Sequence, residues 1–180
     1  MRIISGLYKS RKIVAPKNLP VRPTTDMAKE SLFNILNNNY YFDNIAVLDL
    51  FAGTGNISYE FASRGTEQIT CVDQDFGCIK FINKTAETFN MPLQTIKSDV
   101  FKFLEKTTLQ VNIIFADPPY SFSDEQFTQI PELVFQNNLL LEDGVLIVEH
   151  SKHTNLSELS HYSYSKSYGG NMFSFFKIAF

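Results

Sequence analysis

The sequence has no tryptophan, two cysteines and no apolar run long enough to cross a bilayer. A membrane-spanning helix needs about 20 consecutive apolar positions, so none is expected within these residues. Cys71 and Cys78 lie seven apart, outside the spacing of zinc ligands, and read as reduced thiols of a cytoplasmic protein. The opening residues, MRIISGLYKSRK, lack the apolar stretch and cleavage pattern of a secretory signal. No internal repeat and no low-complexity tract is present. Acids are missing up to Thr25, where Arg2, Lys9, Arg11, Lys12, Lys17 and Arg22 give a local charge of +6. The other ten basic residues face all 19 acids, so the rest carries −9 and the whole chain −3. The overall sign argues against a polyanionic partner. The distribution favours one, because a basic arm on an acidic body binds nucleic acid locally. The alternative is a solvated tail.

What is present is material for a core. Of the 180 residues, 44% are hydrophobic, including 17 Phe and 8 Tyr, which suits one globular domain. Residues 1–23 hold short β-like pieces, RIISGLY and RKIVAP, broken by Gly6, Pro16, Pro20 and Pro23. They predict a hairpin-like basic arm and an extended connection, leaving 24–180 as the main domain. Thr24, Thr25 and Asp26 offer N-caps for a helix whose apolar stripe is Ala28, Leu32, Ile35 and Leu36. Strands are expected at 45–51, 68–73, 93–99, 111–117 and 144–150. Helices are expected at 56–64, 75–89, 100–106 and 124–137. This alternation predicts a parallel sheet with helices on both faces. The end differs: 161–168 and 172–180 flank the turn GGN and predict an antiparallel hairpin. Tyr162, Tyr164 and Tyr168 are expected on one strand face, and Phe173, Phe175 and Phe176 in the core. The fold class is therefore a doubly wound α/β sheet, mostly parallel, with a small β-rich arm.

The first parallel strand runs into FAGTGNIS, residues 51–58. Gly53 and Gly55 permit a sharp turn that brings backbone N–H groups to a ligand at a helix N-terminus. Alone, such a pair also fits an ordinary strand–helix turn. Asp73 closes the second strand 20 positions after Gly53, where an acid accepts hydrogen bonds from a ribose. Asp99 closes the third strand, and Asp49 lies inside the first, where a buried carboxylate must be paired or hydrogen-bonded. A dinucleotide dehydrogenase places its third small residue where Ser58 stands, and binds a pyrophosphate. The upstream acid suits an ammonium instead. S-adenosylmethionine has an ammonium, a ribose and an adenine, and uses every one of these positions.

The fourth strand ends in Asp117-Pro118-Pro119-Tyr120. Neither proline can donate to a sheet ladder, so the strand stops there. Ligands of open α/β sheets sit beyond the strand carboxyl ends, which faces this lip toward the glycine loop. A planar exocyclic amine is a poor nucleophile. The Asp117 carboxylate and the Pro118 carbonyl would bond its hydrogens and aim its lone pair, while Tyr120 stacks on the base. A plain Pro-Pro turn beside a helix cap is the alternative. His150 and His153 form H-x-x-H, but a metal needs a third ligand; none is expected, and both are read as solvated residues at a strand end.

These motifs resemble a class I S-adenosylmethionine-dependent methyltransferase family, the bacterial enzymes that methylate the N2 amino group of a guanine in 16S rRNA. The likeness rests on RIISG, RPTTD followed by KESLFNIL, LDLFAGTGNI, VDQD, Ser98-Asp99, ADPPY and YGGNMFSFF, and spans nearly the whole chain. It implies a Rossmann-like seven-stranded sheet of order 3-2-1-4-5-7-6, with the last strand inserted antiparallel. It implies S-adenosylmethionine bound by Thr24, Asp49, Phe51, Gly53, Gly55, Asn56, Asp73, Asp75, Asp99, Val100 and Asp117. Asp117, Pro118, Pro119 and Tyr120 would be catalytic, and Arg2, Lys9, Arg11, Lys12, Lys17 and Arg22 would bind RNA. The implied partner is 16S rRNA within an assembling 30S particle, and the implied state is a cytoplasmic monomer. The family often has glycine where this chain has Ser10. The competing functions are a DNA amino-methyltransferase and a non-catalytic RNA-binding assembly factor.

Overall fold

A computed structural model describes residues 1–19 and 24–178. Helix α1 spans Asp26–Asn37 and is capped by Thr25, whose hydroxyl accepts from the Ala28 N–H. A 3-10 turn at Phe42–Asn44, not expected from the pattern, leads into β1, Ala46–Leu50. The alternation continues with α2 (Asn56–Ser63), β2 (Gln68–Asp73), α3 (Phe76–Phe89), β3 (Leu93–Lys97), α4 (Val100–Lys106), β4 (Val111–Ala116) and α5 (Asp124–Gln136). It closes with β5 (Leu140–Ser151), β6 (Tyr162–Tyr168) and β7 (Asn171–Lys177). The expected strand at 172–180 extends beyond the described residues at positions 179 and 180.

The strands form one sheet in the order β3-β2-β1-β4-β5-β7-β6. Pairing is parallel from β3 across to β5 and antiparallel at β5–β7 and β7–β6. Both faces are covered, which is why β1 and β4 read as apolar runs with one polar residue each, Asp49 and Asn112. Val47, Ile113, Phe115, Val145, Ile147, Phe173 and Phe175 pack on one side with Leu32 and Phe33 of α1 and Phe61 of α2. Leu48, Leu50, Ile114, Ala116, Leu146 and Val148 pack on the other, against Leu104 of α4 and Ile130 and Val134 of α5.

Two expectations fail for geometric reasons. β5 begins four residues earlier than its apolar pattern, because Leu140 already pairs with Val111 before the register shifts to Ile113–Val145. The shift turns out Leu141, Glu142 and Asp143, which hide the strand's period. The three tyrosines do not share a face either. A register shift between Tyr162 and Tyr164 sends Tyr162 against Phe176 on the α5 side, while Tyr164 and Tyr168 pack against Phe175 and Phe173. One extra residue reverses every later side chain.

The arm is a hairpin closed by a single antiparallel bridge, Arg2–Lys12, rather than by two strands. The Ile3 N–H donates to Arg11 O at 3.0 Å, and the Ile13 N–H to Met1 O at 3.0 Å. Both isoleucines enter the core. Ser10 turns the chain with φ 68, the left-handed region that explains a glycine preference at this place. Gly6 is the closest approach: a Cβ there would lie 1.8 Å from the Ser63 carbonyl oxygen, and the neighbouring Leu7 N–H donates to that oxygen at 2.7 Å. The arm is thus seated on α2.

Candidate active site

The sheet order reverses between β1 and β4, and the cleft opens at their carboxyl ends. Its volume is about 830 Å³. Phe51, Gly53 and Gly55 have φ of 56, 54 and 79, so the chain leaves β1 through consecutive left-handed turns. For Phe51 that conformation is strained, a feature concentrated at functional sites. Its ring meets those of Phe101 and Phe122 edge-on, and Phe101 stacks on Phe122 with centroids 5.8 Å apart. Phe101 and Phe122 both line the cleft and were missed from the sequence. Their signal was available: Phe101 directly follows Asp99-Val100, and Phe122 lies two residues after Tyr120 of the Asp117 lip.

Of the positions expected to hold the cofactor, Thr24, Asp49, Phe51, Gly53, Asn56, Asp73, Asp75, Asp99, Val100 and Asp117 line the cleft. Gly55 does not. A Cβ on it would stand 2.9 Å from the Tyr59 ring, so its work is turn geometry and packing beneath the loop. Several lining residues also have structural duties. The Asp73 carboxylate accepts from the Gly53 and Asp75 N–H groups, each at 2.8 Å, which welds the glycine loop to the end of β2. One lone pair on each oxygen remains for a ligand. Asp75 caps α3 through the Cys78 N–H, and Asp99 caps α4 through the Lys102 N–H. Asn56 is spent inside the protein: it accepts from Lys29 Nζ at 2.9 Å and donates to Thr24 O at 2.9 Å.

Asp117, Pro118, Pro119 and Tyr120 all line the same cleft, with Tyr120 half exposed. Asp49 is buried and accepts from Ser58 Oγ at 2.6 Å, which gives the third small residue of the glycine loop its task. Burial pushes Asp49 up to about 7, against the opposing Ser58 hydrogen bond. Burial, then the nearby charges of Glu149 and Asp49, raises Asp117 well above the usual carboxylate range. Burial also raises Glu149. Three acids are therefore crowded at and beside the cleft without a described cation to balance them, since Lys29 is engaged with Glu60 at 3.5 Å.

This arrangement has a consequence for stability. The folded protein releases the protons of these three carboxylates at higher pH than an unfolded chain, which releases them near pH 4. Stability contributed by the protonated forms is full below that range and is lost as pH rises through the raised values. Buried His150 is held below its ordinary value and acts in the opposite sense, but it is one group against three. The melting temperature should fall between about pH 5 and pH 8, and Asp49→Asn should flatten that slope in scanning calorimetry.

His150 corrects the expectation of a solvated strand end. It is buried, with Nε2 bonded to the Ser174 hydroxyl at 2.7 Å and Nδ1 to Ser151 O at 2.8 Å. β5 runs on to Ser151 and pairs with β7 there, so the ring lies within the sheet. His153 alone of the two is exposed. Among the described residues no cluster of His, Cys, Asp and Glu could hold a metal, and no helix is long and apolar enough to cross a membrane.

Arg2, Lys9, Arg11, Lys12 and Lys17 are exposed on the arm and the segment after it. Arg2 pairs with Asp26 at 3.3 Å, and Arg11 lies 6.0 Å from the centre of the Phe89 ring. Arg22 lies outside the described residues.

A family described as conserved hypothetical protein 95 matches residues 1–177, the arm included. The chain belongs to that family. Relatives of this conserved hypothetical protein 95 chain include YlbH of Bacillus subtilis, 36% identical over 163 residues that cover 88% of this chain and 86% of the relative. Ribosomal RNA small subunit methyltransferase D of Haemophilus influenzae is 31% identical over 157 residues, covering 84% of this chain and 79% of the relative. Among solved structures, yhhF of Escherichia coli superposes with a TM-score of 0.85 at 28% identity, covering 98% of this chain and 96% of that one. The observed sheet order is the one expected of the class I methyltransferase fold.

Proposed function

We propose that the chain transfers a methyl group from S-adenosylmethionine to the N2 amino group of a guanine in 16S rRNA, within an assembling small ribosomal subunit. The observation that carries this reading is the shared cleft: Asp117-Pro118-Pro119-Tyr120 and the glycine loop line one cavity at the switch point. The relative named ribosomal RNA small subunit methyltransferase D supports the substrate class. The protein would act as a cytoplasmic monomer.

The residues present fit that cofactor. The buried acids at the ends of β1 and β4, which burial by itself pushes toward their neutral forms, would ionise against a sulfonium and an ammonium and balance their charge. Asp73 would accept from ribose hydroxyls through its spare lone pairs, and Phe101 and Phe122, beside Val100, offer flat apolar surface to an adenine. When bound, the cofactor supplies an electrophilic methyl on a positively charged sulfur.

This chain's own task is to orient the amine. The Asp117 carboxylate and the Pro118 carbonyl accept its two hydrogens and leave its lone pair pointing along the line of attack, so that positioning provides most of the acceleration. Pro118 and Pro119 hold that carbonyl because their φ angles are locked. Tyr120 stacks on the base, worth ~1–3 kcal/mol. The proton lost from nitrogen passes to Asp117.

The test is methyl transfer from labelled S-adenosylmethionine to naked 16S rRNA, 30S particles or duplex DNA, with the product mapped. Label at a guanine N2 in RNA, strongest with the particle, is expected. Label in DNA alone, or none with intact cofactor binding, would sink the proposal. A separate measurement checks the arm. Lys9, Arg11 and Lys12 replaced together by Ala should weaken RNA binding and flatten its salt dependence by about two to three counterions, at roughly 0.7–0.9 per phosphate contact. An unchanged slope would reduce the arm to a solvated tail.

A further inference from the structure

We infer that Glu149, beside Asp117 on the neighbouring strand, is a charged positioning residue that makes Asp117 the proton acceptor of the transfer. This rests on the proposed role of Asp117. The register pairs Ala116 with Val148, so Asp117 and Glu149 are the next residues of adjacent parallel strands. Both continue the row that runs through Ile113 and Phe115 on β4 and through Val145 and Ile147 on β5, on the α1 and α2 side of the sheet. Asp49 ends the same row on β1.

Hydrogen bonding divides the labour between the two acids. Glu149 is 2% exposed, and each of its oxygens has a neutral donor: the Thr24 hydroxyl to Oε2 at 2.9 Å and Asn171 Nδ2 to Oε1 at 2.7 Å. Donors to both oxygens favour the ionised form. Asp117 has no side-chain hydrogen bond among the described residues, so of the two it takes the proton more readily. Neither Thr24 nor Asn171 carries charge, so neither neutralises Glu149. The other described groups facing the pair do not cancel that charge. Asp49, from β1, adds to it. His150 faces the opposite side of the sheet, toward Ser174. Lys29 ends on Asn56 and Glu60.

The step balances simply. The nitrogen lone pair would form the new bond to the methyl while the methyl–sulfur bond breaks with its pair left on the donor; the amine N–H bond then breaks with its pair left on nitrogen, and an O–H bond forms on Asp117. Glu149 stays ionised throughout. A base whose proton affinity lies near the working pH is the efficient one, and a fixed neighbouring charge supplies that affinity.

The test is the single-turnover rate of methyl transfer to the 30S particle against pH, at saturating S-adenosylmethionine. Glu149→Gln should move the acid limb to lower pH by about one unit and lower the plateau about tenfold, with cofactor affinity within about threefold. Glu149→Asp, which restores the charge, should return the limb toward the wild type. Asn171→Ala, which removes one donor and spares the carboxylate, should move the limb the same way by less, and it keeps the question open to measurement should Glu149→Gln fail to fold. A limb that stands still in the charge-removing variant, or in Asn171→Ala where that variant does not fold, overturns the inference. An Asp117→Asn variant with a normal rate would instead overturn the proposed function. An inactive Asp117→Asn with a stationary limb in Glu149→Gln removes the role of Glu149 alone.

Discussion

Asp117→Ala is expected to lower the single-turnover rate of methyl transfer by about 10²- to 10⁴-fold, the range of a positioned acid–base group. S-adenosylmethionine affinity should stay within about tenfold, because the proposed role of the carboxylate is fulfilled at the amine. Asp117 sits where β4 stops: its N–H still reaches Leu50 O at 3.4 Å, and the two prolines then prevent further pairing. The backbone is thus anchored to the strand beside the glycine loop, and removing the side chain leaves the lip in place. The loss should appear in the rate at saturation rather than in binding. Removal of one buried acid from a crowded acidic cleft also relieves repulsion, so the melting temperature near neutral pH should not fall. Calorimetric titration with S-adenosylmethionine and rapid-quench transfer assays separate these quantities. A variant that loses cofactor binding yet turns over normally at saturation would contradict the role assigned to Asp117.

The second large effect is structural. Glu60→Ala should destabilise the protein by about 3–5 kcal/mol, the cost of leaving a buried charge without its partner. For a chain of this length that lowers the melting temperature by roughly 6–20 °C. Glu60 and Lys29 are both fully buried. Glu60 accepts from the Ile4 and Ser5 N–H groups at 2.8 and 3.0 Å and pairs with Arg64 at 3.0 Å, while Lys29 Nζ donates to Arg2 O at 2.6 Å. The two charges therefore fasten the arm to α1 and α2. Through Asn56 they also reach Thr24, and from it Glu149. Removing Glu60 strands the Lys29 ammonium, whose proton affinity burial already lowers. Adding Lys29→Met should recover part of the stability, because it removes the stranded charge and its desolvation cost at similar volume for position 29. Hydrogen exchange at Ile4 and Ser5 should quicken in the single variant. A double variant less stable than Glu60→Ala alone would show that Lys29 contributes through packing rather than charge.

Much of the fold was legible because its signals are local. Strand–helix alternation, the Thr25 cap and the Gly-rich turn before β7 depend on backbone preferences of a few neighbouring residues, and α1, α4 and β2 fall where the pattern puts them. Misses occurred where one residue changes a register: the shift in β5, and the one in β6 that parts Tyr162 from Tyr164. The arm's missing ladder is a miss of another kind, since its turn is held by contacts with α2 rather than by cross-strand pairing.

The site divides in the same way. Asp49, Asp73, Asp99 and the Asp117 lip were visible because each closes or interrupts an apolar run, and an acid there must have a purpose. Lys29 was hidden within an amphipathic helix, although it neighbours the apolar stripe that begins at Ala28. Glu149 was hidden within an apolar strand beside two histidines that drew attention away.

By itself the sequence determined the family, the fold class and the acids and Asp117 lip that line the cleft, because these follow from side-chain type and spacing along one chain. Tertiary structure alone decided which buried carboxylate has donors on both oxygens and which has none among the described residues. Charge state depends on burial and on donors such as Thr24 and Asn171, more than 140 positions apart and joined at Glu149 only when β7 inserts beside β5.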